Sequence, residues 1–352
     1  MTSNLANAPA VRQARSARAR LLRDLAAHDW AVGGFLVGLL AAALVADPHP
    51  LKTRAVIRMT ALALASLGAI LAARGGLVAA RPFAPLLYRI GVLGGVLGAY
   101  FVLRDLAPVV NPHALDGVLY AADVAIFGGE PAVWIQRFVT PDTTEWFAFF
   151  YVSYFWLLAL YTLPFALYVD REPLVAEFAT GMIVVYGIGQ ALYLLVPGFG
   201  PWAAFPELFD GPLPRGPWHD ALLRTVAVGG SQKDIFPSLH TAGPLFLTLF
   251  AFRHRGERWL AVAWAPTAFF AANIVAATLL LRWHYAIDVV AGAVLGVVAF
   301  VAARRLPAAE AARRRARAAA PLWPRLTEPT HPTSRRGARC DPASRPSFRS
   351  PG

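Results

Sequence analysis

The feature that most constrains this sequence is a series of long apolar stretches separated by shorter polar segments. A helix needs about 20 apolar residues to cross the hydrocarbon core of a bilayer, and eight stretches reach or approach that length. They are residues 30–46, 56–73, 86–103, 146–169, 174–196, 237–253, 259–281 and 284–303. The pattern predicts an all-α fold, a polytopic bundle of about eight transmembrane helices.

The composition excludes an ordinary soluble protein. Apolar residues make up 57% of the 352 residues and charged residues only 15%, whereas soluble domains carry roughly 25% charged residues. The single cysteine, Cys340, lies outside the apolar stretches. A cysteine-based metal site or a Cys–His catalytic pair in the membrane region is therefore excluded.

The positive charge is concentrated at the carboxyl terminus. The net charge is +12, and residues 304–352 hold twelve Arg against three acidic residues. A basic tail beside a membrane typically binds anionic lipid headgroups, so we expect that role and not nucleic-acid binding. The composition of 304–352 predicts a disordered tail, and residues 1–29 form a second basic segment.

The distribution of Lys and Arg predicts the topology. Eight spans place both termini on one side, and 24 of the 33 Lys and Arg residues fall on that side. The positive-inside rule then makes the termini cytoplasmic, in a multi-pass protein of the cell membrane. Two long loops, 104–145 and 197–236, are predicted outside. The first is expected to form short interfacial helices, and the second is expected to be functional because of its length.

Two short motifs contain ionisable residues that are predicted to lie at the same depth in the membrane. Phe236-Pro237-Ser238-Leu239-His240 and Arg282-Trp283-His284-Tyr285-Ala286-Ile287-Asp288 each open a predicted span, and both openings face outside. Asp288 follows His284 by four residues, which places both side chains on one helix face. A carboxylate beside a histidine orients the ring and stabilises the imidazolium form. His284 is therefore predicted to be a nucleophile and His240 a general acid.

Three further residues are predicted to bind an anionic substrate. Ser238 begins a helix, where unpaired backbone N–H groups attract anions, and Lys233 and Arg282 supply cations suited to phosphate oxygens. Other interpretations remain open for the ionisable residues. His240, His284 and Asp288 would also suit a metal site, Asp288 could pair only with Arg282, and each histidine alone could be a hydrogen-bonding group between helices.

These motifs resemble the type 2 phosphatidic acid phosphatase superfamily of membrane phosphatases and phosphotransferases. Its Pro-Ser-x-His motif is matched at 237–240, and its His-x-x-x-Asp motif at 284–288. The closer resemblance is to the inositolphosphotransferase branch, which includes inositol phosphorylceramide synthase. It extends to Asp123-Val124-Ala125-Ile126-Phe127-Gly128, Thr140-Pro141 and Tyr151-Val152-Ser153-Tyr154, and covers roughly residues 105–303.

The resemblance implies a six-helix-type phosphatase core, a phosphohistidine on His284, and no required metal or cofactor. The chain departs from the superfamily pattern at Thr278, where an Arg usually stands. An apparent match to a further motif, Lys-x6-Arg-Pro, runs from Arg74 to Arg81-Pro82. On the predicted topology that match lies inside, opposite the histidines, so we interpret it as chance.

The sequence thus predicts an integral-membrane enzyme acting on a lipid-linked phosphate ester, with water or a polyol such as inositol as acceptor. Residues 1–29 would be a cytoplasmic segment, 30–103 N-terminal transmembrane helices, 104–303 the catalytic membrane domain and 304–352 the tail. The alternative is a non-catalytic lipid-binding scaffold or transporter that retains the fold. The motifs do not distinguish a phosphatase from a transferase, and they leave the oligomeric state open.

Overall fold

A computed structural model describes residues 21–78, 81–229, 233–317 and 319–326. Within these residues the regular structure is helical. The helices are α1 (Ala27–Val45), α2 (Lys52–Arg74), α3 (Ala84–Gly98), α4 (Tyr100–Val110), α5 (Asp116–Phe127), α6 (Pro131–Ile135), α7 (Pro141–Leu167), α8 (Glu172–Leu195), α9 (Pro217–Gly229), α10 (Leu239–Arg253), α11 (Arg258–Leu280) and α12 (Ala286–Ala316). The predicted all-α bundle is confirmed.

Six to eight helical segments within the described residues are long and apolar enough to cross a membrane. Helices α1, α2, α7, α8, α11 and α12 meet this criterion alone. Two bent pairs meet it together: α3 with α4, bent by 41°, and α5 with α6 and the turn that follows, bent by 69°. The second pair occupies much of the predicted 104–145 loop. Its short helices agree with the prediction, but their composition also suits a broken span or a re-entrant segment.

Contacts between helix ends show that the bundle has two distinct ends. At one end, Arg74 at the end of α2 pairs with Asp29 at the start of α1, and Arg314 near the end of α12 donates to the carbonyl of Leu25. We call this the terminal end. The starts of α10 and α12, which carry His240 and His284, belong to the opposite end, which we call the site end.

The predicted disordered tail does not begin at residue 304. Helix α12 continues to Ala316, and residues 319–326 pack back onto the terminal end. Trp323 is 1% exposed and stacks on the ring of His28, with ring centroids 4.8 Å apart. Arg74 donates to the carbonyls of Pro321 and Leu322. A few apolar residues such as Trp323 therefore hold residues 319–326 against the bundle, although the surrounding sequence is basic and polar. Residues 327–352 and 1–20 lie outside the described residues.

The site depends on close packing between α10 and α12. Gly292 on α12 leaves no room for a Cβ against the backbone carbonyl of Ser238, so a larger residue would push the two helices apart. Gly292 is therefore a close-packing position between α10 and α12. The close approach brings the Pro-Ser-x-His segment against the helix that carries Asp288.

Candidate active site

His284 and Asp288 form a buried pair at the start of α12. His284 Nδ1 lies 3.3 Å from Asp288 Oδ2, and the two residues are 2% and 0% exposed. The same carboxylate oxygen accepts a hydrogen bond from the backbone N–H of Tyr285 at 3.0 Å. The carboxylate thus faces Nδ1, and the other ring nitrogen, Nε2, is the one that does not contact Asp288.

Asp123 on α5 holds the backbone that follows His284. Its two carboxylate oxygens accept from the N–H groups of Ala286 and Ile287, at 2.6 and 2.8 Å. These are unpaired donors in the first turn of α12, and a carboxylate there satisfies them and interacts favourably with the helix dipole. Asp123 belongs to the segment that carries the family resemblance, but its sequence position alone indicated no role for it.

Asp116 holds a second connection to the same turn. It accepts from the hydroxyl of Tyr285 at 3.0 Å and from the backbone N–H groups of Phe199 and Gly200 at 2.9–3.1 Å. Asp116 and Asp123 are seven residues apart on α5, a spacing that places them on one face of a helix. The seven-residue spacing is the feature of the sequence that could have pointed to these two carboxylates. It was not used in the sequence-based predictions.

His240 lies in the first turn of α10 and is held between two tyrosines of α7. The ring centroids of Tyr151 and Tyr154 each lie 4.2 Å from that of His240. The His284 ring is 6.1 Å away, between centroids. His240 Nε2 is buried and has no hydrogen-bond partner among the described residues. An unpartnered buried nitrogen of this kind is available to a bound substrate.

Ser238 joins the two histidine motifs. Its backbone N–H donates to the carbonyl of Asp288 at 3.0 Å, and its side-chain oxygen accepts from the hydroxyl of Thr241 at 3.2 Å. The Ser238 amide is therefore paired within the protein, and this bond fixes the start of α10 against α12. The Ser238 hydroxyl accepts in its bond with Thr241 and keeps its own proton to donate, so substrate binding by Ser238 stays a prediction.

Lys233 and Arg282 lie close in sequence to the histidine motifs but turn away from the rings. Lys233 Nζ donates to the carbonyl of Pro112 at 2.6 Å, and Arg282 donates to the carbonyl of Gly211 at 2.7 Å. Burial lowers the pKa of Lys233, opposed by Asp116, and lowers the pKa of Arg282, opposed by Asp210. Arg282 does not pair with Asp288, whose observed contacts are with His284, Tyr285 and Ser238.

Two cavities meet at His240. The smaller, about 50 Å³, has both histidines in its wall and is called the histidine cavity. The larger, about 260 Å³, is mainly apolar and is called the apolar groove. His240, Tyr100, Phe155 and Asp234 belong to both walls. The groove runs between α3–α4 and α7, with Phe101 and Leu163 among its more exposed wall residues.

The first part of the 197–236 loop covers the turn that carries His284. Gly200 has a φ of +88° and lies against the carbonyl of Trp283, where a Cβ would collide. The backbone N–H of Trp202 donates to the carbonyl of Arg282, and the rings of Trp202 and Trp283 are 5.0 Å apart. Trp218 instead packs on Phe149 of α7.

The family comparison agrees with this geometry. The model of the PAP2 superfamily matches residues 123–302, a segment that begins at Asp123 and contains both histidine motifs. The chain belongs to the PAP2 superfamily. Membership indicates phosphatase or phosphotransferase activity on phosphate esters. No curated protein and no solved structure matches the chain.

The structure separates Arg74 from the histidines. Arg74 Nε lies 2.9 Å from Asp29 Oδ2, and Arg74 also donates to the hydroxyl of Tyr88 at 2.5 Å, at the terminal end. The apparent Lys-x6-Arg-Pro match therefore begins at an arginine that is paired with Asp29 at the end of the bundle opposite the histidines. This position agrees with the predicted topology. Among the described residues, no group of three or more His, Cys, Asp or Glu side chains is arranged to hold a metal ion.

Proposed function

We propose that this PAP2 superfamily protein is a membrane enzyme that removes or transfers the phosphoryl-containing group of a lipid-linked phosphate ester. The observation that carries the proposal is the buried His284–Asp288 pair, facing His240 where the histidine cavity meets the apolar groove. A nucleophile, a carboxylate that orients it and a second proton-transfer group are the parts that covalent catalysis requires.

In the first step, His284 Nε2 attacks phosphorus and a P–N bond forms. The bond from phosphorus to the leaving oxygen breaks as His240 donates its proton to that oxygen. Asp288 stabilises the positive charge that develops on the His284 ring. In the second step, His240 takes a proton from water or an alcohol, whose oxygen attacks phosphorus. The P–N bond then breaks and His284 is regenerated.

The apolar groove supports a lipid as the donor. Two of its wall residues, Phe101 and Leu163, are 61% and 54% exposed on the outer surface of the helices. A surface of this composition on a membrane-spanning helix faces acyl chains. A lipid would enter sideways between α4 and α7, with its phosphate at His240 and its chains in the groove.

The acceptor is water or a polyol, and an inositol-like polyol would place the protein in the inositolphosphotransferase branch. A further cavity of about 480 Å³ lies under the 197–236 loop and has Trp202, Phe209, Arg282 and Trp283 in its wall. Aromatic faces and a fixed guanidinium suit a hydroxyl-rich ring. Trp283 also belongs to the wall of the histidine cavity, so it lies between this space and His284.

The proposed orientation has the terminal end in the cytoplasm and the site end at the outer face of the cell membrane. The basic segments at both termini support this orientation, and anionic headgroups are their proposed partners. Lys233 and Arg282 remain proposed substrate-binding residues, acting from beside the histidine cavity. The mechanism uses no metal or cofactor.

The decisive experiment incubates detergent-purified protein with a labelled lipid phosphate in EDTA, with and without polyols, beside a His284→Ala variant. We expect phosphate or a phosphodiester to form, an acid-labile phosphoenzyme to be trapped, and both signals to be lost in the variant. The product distinguishes water from an alcohol as acceptor. Turnover that survives in the variant would contradict the assignment of His284 as nucleophile, and turnover abolished by EDTA would contradict the metal-free mechanism.

The competing function is a lipid-binding scaffold or transporter. Such a protein has no need of a reactive histidine, so lipid binding without turnover, unchanged in His284→Ala, would favour it.

A further inference from the structure

A third cavity at the site end is lined by basic residues. It has a volume of about 750 Å³, and Arg54, Arg58, Arg104 and Lys233 contribute to its wall. We call it the basic chamber. Its only acidic wall residue among those described is Asp105. Four cations against one carboxylate give the cavity wall an excess of positive charge.

The contacts within the basic chamber leave its cations only partly neutralised. Arg54 and Arg58 share a single oxygen of Asp105, at 3.1 and 2.5 Å. Arg104 donates to the carbonyl of Ala227, and Lys233 to that of Pro112. Carbonyl groups accept hydrogen bonds but carry no full charge, so these contacts orient the two cations without cancelling their charge. Asp116, outside the cavity wall, partly offsets the charge of Lys233.

The basic chamber adjoins both cavities of the candidate active site. It shares Phe199 with the histidine cavity and Phe101 with the apolar groove. The histidine cavity itself has no Lys or Arg in its described wall. The cations of the basic chamber therefore lie beside the histidine cavity and not in its wall. A substrate group that contacts them would be a different group from the phosphate at the histidines.

We propose that the basic chamber binds a second phosphate group, separate from the one that is transferred, carried on the substrate of this enzyme. Guanidinium groups match phosphate oxygens in geometry and charge, and an excess of cations over carboxylates suits a phosphate monoester. The inference rests on the proposed function, since it assigns a substrate class to that site. The second phosphate belongs either to a phosphorylated polyol acceptor or to the headgroup of the lipid donor.

Binding to the full-length His284→Ala variant in detergent tests this assignment without turnover. One pair of probes is myo-inositol 1-phosphate and myo-inositol, and the other is phosphatidylinositol 4-phosphate and phosphatidylinositol in mixed micelles. We expect the phosphorylated member of one pair to bind about ten-fold more tightly at low salt, since charge attraction is strong there. A preference in the soluble pair identifies the acceptor as its source, and one in the lipid pair identifies the donor.

The basic chamber is tested by adding Arg54→Gln and Arg104→Gln to that variant. We expect the preference to fall to within about two-fold, and to fall partway in Arg54→Gln alone, whose side chain is 64% exposed and makes little demand on folding. The matched control is Arg137→Gln, an exposed arginine outside the cavity, which should leave the preference unchanged.

No preference in either pair, or a preference that survives both substitutions in a folded protein, would overturn the assignment. Because binding is measured without turnover, a wild-type protein that fails to transfer phosphate contradicts the proposed function separately.

Discussion

The carboxylate of Asp123 accepts a hydrogen bond from the backbone N–H of Ala286 at 2.6 Å, across 163 residues of sequence. With its second bond, to Ile287, it ties α5 to the first turn of the helix that presents His284 and Asp288. Helices α5 and α12 are thereby joined at the candidate active site.

Removing this connection should impair turnover more than substrate binding. We expect Asp123→Ala to lower kcat by about 10- to 100-fold, with KM for the lipid donor changed less, because His284 loses its fixed orientation. Loss of a helix-capping carboxylate also costs about 1 kcal/mol of stability. Asp123→Asn, which keeps one acceptor oxygen, should lie between Ala and wild type. The control is Asp142→Asn, an exposed acidic residue in the first turn of α7. A rise in KM with unchanged kcat would argue against a positioning role.

The proposed role of His240 as general acid predicts a dependence of the rate on the leaving group. His240→Ala should slow turnover of a lipid phosphate by about 10²- to 10⁴-fold, the usual contribution of general acid catalysis. An activated aryl phosphate such as p-nitrophenyl phosphate needs no proton on its leaving oxygen, so its phosphoenzyme should still form. Rapid quenching of the labelled phosphoenzyme measures this step. Equal loss with both substrates would indicate that His240 acts on something other than the leaving group.

Filling the apolar groove should exclude long lipids selectively. Ala159 belongs to the groove wall, and the next residue, Leu160, is 63% exposed and lies outside it. We expect Ala159→Trp to raise KM for a long-chain donor by about ten-fold while leaving a short-chain, water-soluble donor unaffected. Leu160→Trp adds the same bulk outside the groove and serves as the control. If both donors respond equally to Ala159→Trp, the groove is not the chain-binding site.

The packed carboxyl-terminal segment predicts a loss of stability without a change in chemistry. Trp323 is 1% exposed against His28 and Tyr88, and Trp→Ala substitutions at buried sites typically cost about 3–5 kcal/mol. Trp323→Ala should therefore lower the Tm in detergent by several degrees, while the folded fraction keeps its kcat. Thermal unfolding followed alongside specific activity tests this, and an unchanged Tm would show that residues 319–326 do not stabilise the bundle.

The sequence was most informative where one physical requirement dominated. Long apolar stretches predicted the helices, because crossing a bilayer demands length and hydrophobicity. The four-residue spacing of His284 and Asp288 predicted their contact, because a helix repeats in that interval.

Contacts between distant segments were harder to predict. Asp116 and Asp123 act on backbone groups more than 80 residues away, and hydrogen bonds to a backbone N–H leave no residue-specific pattern. Lys233 and Arg282 were predicted to lie beside the histidines because they are close to them in sequence. In the structure their side chains contact nearby backbone carbonyl groups and aromatic rings instead. The tail was misjudged because a few apolar anchors such as Trp323 are outnumbered by arginines.

Tyr154 forms part of the wall of the apolar groove and also packs against the ring of His240, with the two rings tilted by 38°. On the proposed function, an acyl chain in the groove would touch the side chain that packs against His240. The tail of a lipid, although remote from any reacting bond, would then act on the orientation of His240 through one shared aromatic ring. Chain length would become a means of tuning the rate of the chemical step, and the protein would discriminate among lipids that carry identical headgroups.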